Sequence, residues 1–226
     1  MQTTNKAIVA TGINKYFYSP VKFHVLQHIN FEVNKGEFVA ITGKSGSGKS
    51  TLMYLLSTMD TAYEGSIAIN GQTVTGLKEK QLAAFRNQHI GFVFQFHYLL
   101  PDFTALDNLM LPALKLKKKS KEAIEQRALE LMALLNIKGQ EKKQASKLSG
   151  GQQQRLAIAR ALINEPAIIM GDEPTGNLDT MNTTIVIDTF KQLAKEFNQT
   201  IIAVTHDLDF AAKCNRIIEI TDGKIM

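Results

Sequence analysis

Residues 43–51 read GKSGSGKST, after the apolar run Phe38-Val39-Ala40-Ile41 and ahead of Leu52, Leu55 and Leu56. A strand that ends in GxxxxGKS and opens into a helix makes a concave nest of backbone N–H groups, suited to the β- and γ-phosphates of a nucleotide. Gly43, Gly46 and Gly48 permit turn conformations that a Cβ obstructs. Lys49 offers a compact positive charge to phosphate oxygens, and the Ser50 hydroxyl is placed to ligate Mg²⁺. Lys44, Ser45, Ser47 and Thr51 complete the cradle. The motif specifies a phosphate site without choosing between a kinase, a GTPase and a transporter.

Two further stretches narrow that choice. Leu148-Ser149-Gly150-Gly151-Gln152 is a Ser-Gly-Gly turn that leads into a helical pattern over 153–162. The apolar run Ala167-Ile168-Ile169-Met170-Gly171 then delivers two adjacent carboxylates, Asp172 and Glu173, ahead of Pro174. With its motifs in this order and at this spacing, the chain resembles the ABC (ATP-binding cassette) ATPases over essentially all 226 residues. The resemblance implies ATP as the nucleotide, Mg²⁺ as its metal and hydrolysis as the reaction.

It also distributes the roles. Phosphoryl transfer to water needs charge neutralisation at the γ-phosphate, an aligned water and exclusion of bulk solvent. Asp172 would hold Mg²⁺ through coordinated waters, while strand alternation points Glu173 elsewhere, toward the attacking water as general base. Gln95, after the apolar strand 90–94, matches the Q-loop and would reach Mg²⁺ and the γ-phosphate side. His206, after Ile201-Ile202-Ala203-Val204-Thr205, matches the switch histidine that contacts the γ-phosphate. Tyr16 precedes Val25-Leu26 by the interval of the aromatic residue that stacks on adenine, with Phe17 and Tyr18 beside it.

In ABC proteins the signature turn closes over the nucleotide of a second subunit. Ser149, Gly150, Gly151 and Gln152 are therefore expected to act on a partner copy's ATP, and Gly176-Asn177-Leu178-Asp179 matches the D-loop that crosses between subunits. One chain holds one set of each motif, so the resemblance implies a homodimer with two sandwiched ATP molecules.

The elements that must position these groups follow from periodicity. Stretches 7–13 and 23–33 are strand-like, 34–37 makes a turn, and 66–71 ends in an Asn-Gly hairpin signal. Strands at 90–94, 167–171 and 201–205 alternate with helical segments, which implies a parallel α/β core. Between Gln95 and Ser149 the pattern is mostly helical, with Ala123, Ala128, Leu131, Leu134 and Leu135 on one apolar face. Residues 216–226 read as a closing hairpin. The expected fold is α/β: a P-loop NTPase cassette with a RecA-like parallel-sheet core, an antiparallel β lobe and an α-helical lobe near 96–163, all within one domain of 1–226.

Composition sets the surroundings. Hydrophobic content of 44% with 21% charged residues is ordinary for a globular protein. No apolar stretch approaches the roughly 20 residues that span a bilayer, and residues 1–12 lack a signal-peptide pattern. Attachment to the cytoplasmic face of the inner membrane is expected through transmembrane permease subunits. The net charge of +5 concentrates at Lys115, Lys117, Lys118, Lys119 and Lys121. No aromatic-basic interleaving accompanies these lysines, so no nucleic acid partner is expected. The lone Cys214 excludes an internal disulfide and reads as a small core residue.

The stretch FQFHYLLPDFTALDN at 94–108 and GDEPTGNLD at 171–179 resemble one branch of the family, the LolD/MacB branch, and within it the lipoprotein-releasing ATPases. Gln152, Gly171 and Asp107 depart from residues common in that branch, and none of them removes a catalytic group. Macrolide or peptide export, or antimicrobial-peptide sensing, is the alternative within the branch, and a soluble ABC ATPase working outside transport is the alternative beyond it.

Overall fold

The computed structural model describes residues 5–176 and 178–226. Strands β1 (Lys6–Phe17), β2 (Phe23–Asn34), β4 (Glu64–Ile69) and β5 (Gln72–Thr73) form an antiparallel sheet in the order β2-β1-β4-β5. The β4–β5 turn places Asn70 at φ 49° and Gly71 at φ 80°, the left-handed pair that an Asn-Gly hairpin requires. The second sheet has the order β10-β9-β3-β8-β7-β6. Its strands are β3 (Phe38–Thr42), β6 (Ile90–Phe94), β7 (Ile168–Asp172), β8 (Thr200–Val204), β9 (Arg216–Thr221) and β10 (Lys224–Ile225). All neighbours in it are parallel except the β9–β10 hairpin.

The central strands are buried on both faces, so period-2 alternation divides their residues between two cores. Val39, Ile41, Ile168, Met170, Ile202 and Val204 face the antiparallel lobe and helix α1 (Lys49–Leu56). Phe38, Ile169, Ile201 and Ala203 face the other way. There they meet α3 (Ala105–Leu116), α4 (Lys121–Leu134), α5 (Gly150–Leu162) and α6 (Thr180–Phe197). Helix α2 (Glu79–His89) sends Leu82 and Phe85 into the first core, and α7 (Leu208–Ala211) sends Phe210 into the second, edge-on to Phe38 at 5.6 Å between ring centroids.

Two expectations are corrected. Helix α4 buries Ile124, Ala128, Leu131 and Met132, while Ala123 is exposed and Leu134 only half-buried. Ala128, Leu131 and Leu135 are buried as expected, and at the start of the helix Ile124 takes the place expected for Ala123, which lies in the exposed first turn where its N–H donates to the capping Ser120 Oγ. The closing segment is more than a hairpin: β9 first extends the core by pairing parallel with β3, and β10 then folds back on it.

Parallel register has a direct consequence for chemistry. Ile41 pairs with Val204, Val204 with Asp172, and Asp172 with Phe94. Gly43, Thr205, Glu173 and Gln95 therefore leave the sheet along one edge, where ligands of open α/β sheets bind.

The helical layer approaches this sheet very closely at Gly91, where a Cβ would run into the main-chain carbonyl of Ala161. No side chain there can yield, so Gly91→Ala is expected to destabilise the protein by about 1–3 kcal/mol. The readout is a lower urea midpoint at unchanged m value; an unchanged midpoint would mean that α5 can move off β6 without penalty.

Candidate active site

Glycine builds the phosphate turn. Gly43, Gly46 and Gly48 sit at φ 142°, 78° and 104°. A Cβ on Gly43 would meet the Ile220 carbonyl, and one on Gly48 would press on Leu26, so two of the glycines also let β9 and β2 close against the loop. A Cβ on Gly46 would meet no atom within 4 Å, so this point of the loop faces open space. Helix α1 has no side-chain cap and no acidic residue in its first turn, so its N–H groups and positive dipole end are available to an anion.

The charged groups are held in place by this loop. Lys49 is buried, and its Nζ donates to the carbonyls of Gly43 and Lys44 at 2.8 Å each. Ser47 Oγ is buried without a hydrogen-bond partner. Ser50 Oγ donates to Asp172 Oδ1 at 3.4 Å, which brings two hard oxygen donors together. Burial and the neighbouring Glu173 push the Asp172 carboxyl above its ordinary range, while hydrogen bonds from Ser50 and Tyr54 and the charge of Lys49 pull it back. An oxygen pair of this kind suits a hard divalent cation.

Glu173 owes its direction to a turn and not to strand alternation, because β7 ends one residue earlier. Its φ is 48°, a left-handed conformation that costs a non-glycine residue about 1–2 kcal/mol. Its N–H donates to the Val204 carbonyl at 2.9 Å and anchors the turn to β8. The carboxylate Oε2 lies 2.9 Å from His206 Nδ1 and accepts from the His206 N–H at 3.3 Å. Glu173 and His206 line a cleft of about 510 Å³ with Gly43, Ser45, Gly46, Gly48, Lys49, Ser50 and Thr51.

The aromatic wall of that cleft is Phe17 and Phe23, not Tyr16. Tyr16 stacks on His24 at 4.2 Å and carries the Lys22 ammonium 4.5 Å from its ring centroid, over a separate hollow beside Lys15 and Tyr63. Adjacent strand positions point to opposite faces, so a shift of one residue exchanges the roles of Tyr16 and Phe17. Phe17 and Phe23 are also cross-strand partners at the mouth of the β1–β2 hairpin, a pairing that could have been noticed in the sequence.

The remaining expected site residues lie elsewhere. The Gln95 side chain rests over Gly176, where a Cβ would come within 2.9 Å of its Nε2. Ser149 caps α5 and accepts from the Gln152 N–H at 3.3 Å, while Gln152 Oε1 accepts from the Ser149 N–H at 3.0 Å. Asp179 caps α6. Among the described residues, none of Gln95, Ser149, Gly150, Gly151, Gln152 and Asp179 lines the cleft, and Asn177 lies outside those residues.

Sequence reasoning missed two struts. Arg160 of α5 donates to the Tyr98 carbonyl at 2.7 Å and the His97 carbonyl at 2.5 Å, pinning a turn in which both residues have left-handed φ. Buried Gln154 of the same helix donates to the Pro174 carbonyl just beyond Glu173. Neither shows a motif signal, because each serves a carbonyl that only the fold brings near. Cys214 is half-buried, and burial pushes its thiol up to about 12.

A glycine-built phosphate nest at the carboxyl edge of a parallel sheet defines a P-loop nucleotide-binding protein. Residues 26–176 match the family described as ABC transporter, and the chain belongs to that family. It is an ABC ATPase. A lipoprotein-releasing system ATP-binding protein LolD from Bacteroides thetaiotaomicron is 48% identical, over 95% of this chain and 96% of the relative. The protein of the same description from Aquifex aeolicus is 47% identical, with 90% of each chain covered. Among solved structures, the dimeric bacterial ABC transporter cassette MJ0796 superposes with a TM-score of 0.88 at 37% identity, covering 96% of both chains. A dimeric post-hydrolysis state of that cassette, bound to ADP and Pi, matches equally at 0.88 and 36% identity.

Phe17→Ala is expected to weaken ATP affinity by roughly tenfold, the lower part of the range for loss of one base-stacking contact. Tyr16→Ala should change it less than about twofold on the same stacking argument. Titration with a fluorescent ATP analogue separates the two; the reverse ranking would return the stacking role to Tyr16.

Proposed function

We propose that this chain is the Mg²⁺-dependent ATPase subunit of a membrane transporter that releases lipoproteins from the inner membrane, working as a pair of copies docked on the cytoplasmic side of permease subunits. The observation that carries the cargo is the similarity to proteins described as lipoprotein-releasing ATPases, at 48% identity over 95% of the chain. Dimeric solved relatives support the pairing. No helix among the described residues is long and apolar enough to cross a membrane, so the reading assigns membrane attachment to a partner.

In this reading the nest from Gly43 to Gly48 binds the phosphates through backbone N–H groups, and Lys49 turns its ammonium from the loop carbonyls toward phosphate oxygens. Ser50 and Asp172 would hold Mg²⁺, and Gln95, at the end of the neighbouring strand, would reach it only after its side chain leaves Gly176. Bound there, the metal would supply charge neutralisation at the phosphate oxygens. Glu173 Oε2 orients a water and takes its proton as the water oxygen attacks the γ-phosphorus and ADP leaves. His206 Nδ1, 2.9 Å from that oxygen, holds the carboxylate in line. Phe17 stacks on the adenine. Ser149, Gly150, Gly151, Gln152 and Asp179, which do not line their own cleft, would complete the site of the second copy.

Permease docking is assigned to a groove of about 430 Å³ that includes Ala83, Asn87, Phe92, Phe94, Tyr98 and Arg160. Phe96, Tyr98, Leu100 and Phe103, in the segment after Phe94, are exposed apolar side chains of the kind that mark interaction surfaces. Leu99 instead packs against the second core. The groove adjoins the turn that Arg160 pins after Gln95, so movement at the nucleotide and at a docked helix would share that turn.

Glu173→Gln should retain ATP binding, slow hydrolysis by roughly 10²- to 10⁴-fold, and accumulate an ATP-bound dimer on sizing columns. Near-normal turnover would remove Glu173 from the chemistry. For the cargo, the complex copurified with its permease and placed in vesicles should show ATP-dependent release of an acylated lipoprotein to an acceptor. Efflux of a macrolide or peptide in its place would overturn the lipoprotein reading and leave the ATPase assignment standing.

A further inference from the structure

Asn182, in the first turn of α6, touches the two motifs that line no part of their own cleft. Its backbone N–H donates to Asp179 Oδ1 at 2.8 Å, an ordinary helix cap. Its side chain does more: Nδ2 donates to both oxygens of that carboxylate, at 3.0 and 2.9 Å. At its other end, Oδ1 accepts from Arg155 Nη1 of α5 at 3.4 Å and lies so close over Gly151 that a Cβ there would overlap it. Arg155 is half-buried and its Nε is buried without a partner, so the guanidinium has few other acceptors.

We infer that Asn182 is a positioning residue: it locks the signature turn at Gly151 and the carboxylate of Asp179 into one rigid unit, and so sets how tightly a second copy of this chain closes over ATP. The inference rests on the two-copy reading proposed above. Two helix N-termini, those of α5 and α6, must meet one partner surface together. If their spacing were free, association would have to order it; a strut that fixes it beforehand removes that entropic penalty from closure. The chemistry requires an amide. One end must donate to a carboxylate and the other must accept from a guanidinium, and of side chains this short only asparagine offers both ends in a rigid plane. Gly151 is matched to it, since any side chain there would displace the amide.

The test uses the Glu173→Gln protein as parent, with two measurements: the ATP-driven dimer dissociation constant by analytical ultracentrifugation, and ATP affinity at concentrations where the protein is monomeric. Asn182→Ala keeps the backbone cap on Asp179 and removes only the strut. It should weaken the dimer by about tenfold with monomer ATP affinity unchanged, and any fall in melting temperature should be no larger than that of Asn182→Asp. Asn182→Asp preserves shape and the Arg155 acceptor but sets a second carboxylate against Asp179, and it should weaken the dimer at least as much. Dimerisation of Asn182→Ala as tight as the parent overturns the proposal. So does a dimer defect confined to Asn182→Ala and matched by a fall in melting temperature, which would mark a purely local stability effect. A parent that stays monomeric with ATP defeats the two-copy reading itself, an outcome distinct from either.

Discussion

Everything at the candidate site depends on hydrogen-bonded register in the parallel sheet. With Ile41, Val204, Asp172 and Phe94 side by side, four segments far apart in sequence end at one edge. Parallel strands need crossover connections, and here helices supply them on both faces, α1 and α2 beside the antiparallel lobe and α3 to α6 on the other side. The edge is therefore dry beneath and open above. A slip of one residue in β8 would turn Ile202 and Val204 out of the first core and also move His206 away from Glu173, so packing enforces the register that the chemistry uses.

Strain is concentrated where direction matters. Glu173, His97 and Tyr98 take left-handed conformations without being glycine, at φ 48°, 56° and 46°. Each is held by fixed partners: Glu173 by the Val204 carbonyl and His206, the other two by the guanidinium of Arg160. Burial and the neighbouring Arg160 hold the His97 imidazole below its usual pKa, which keeps a second positive charge out of that turn. The two turns are linked through α5, since Gln154 holds the segment after Glu173 and Arg160 holds the segment after Gln95. A single helix that begins at the signature turn thus touches both sides of the nucleotide edge.

The chain also separates its functional groups into two sets. Lys49, Ser50, Glu173 and His206 gather around one cleft, whereas Ser149, Gly150 and Asp179 stand exposed at the N-termini of α5 and α6, outside that cleft. Positive helix ends directed at solvent are suited to anions brought by something else. That division makes physical sense of a family whose solved relatives include ATP-cassette dimers.

Local patterns in the sequence determined the elements and the phosphate chemistry, because they depend only on near neighbours. The GKSGSGKST turn announces its glycines by their left-handed φ, as the Asn-Gly hairpin does, and the apolar runs of β3, β7 and β8 announce strands buried on both faces. Family order of the motifs supplied the likeness that the fold and the relatives bear out. Tertiary structure decided what hinges on one residue of rotation or on a distant carbonyl. It exchanged Tyr16 for Phe17 at the cleft, exposed Ala123 while burying Met132, and gave Glu173 its direction by a left-handed turn. It also assigned Arg160, Gln154 and Asn182 their partners. Such contacts join residues on different helices and strands, and their geometry exists only once two hydrophobic cores have set the distance between those elements.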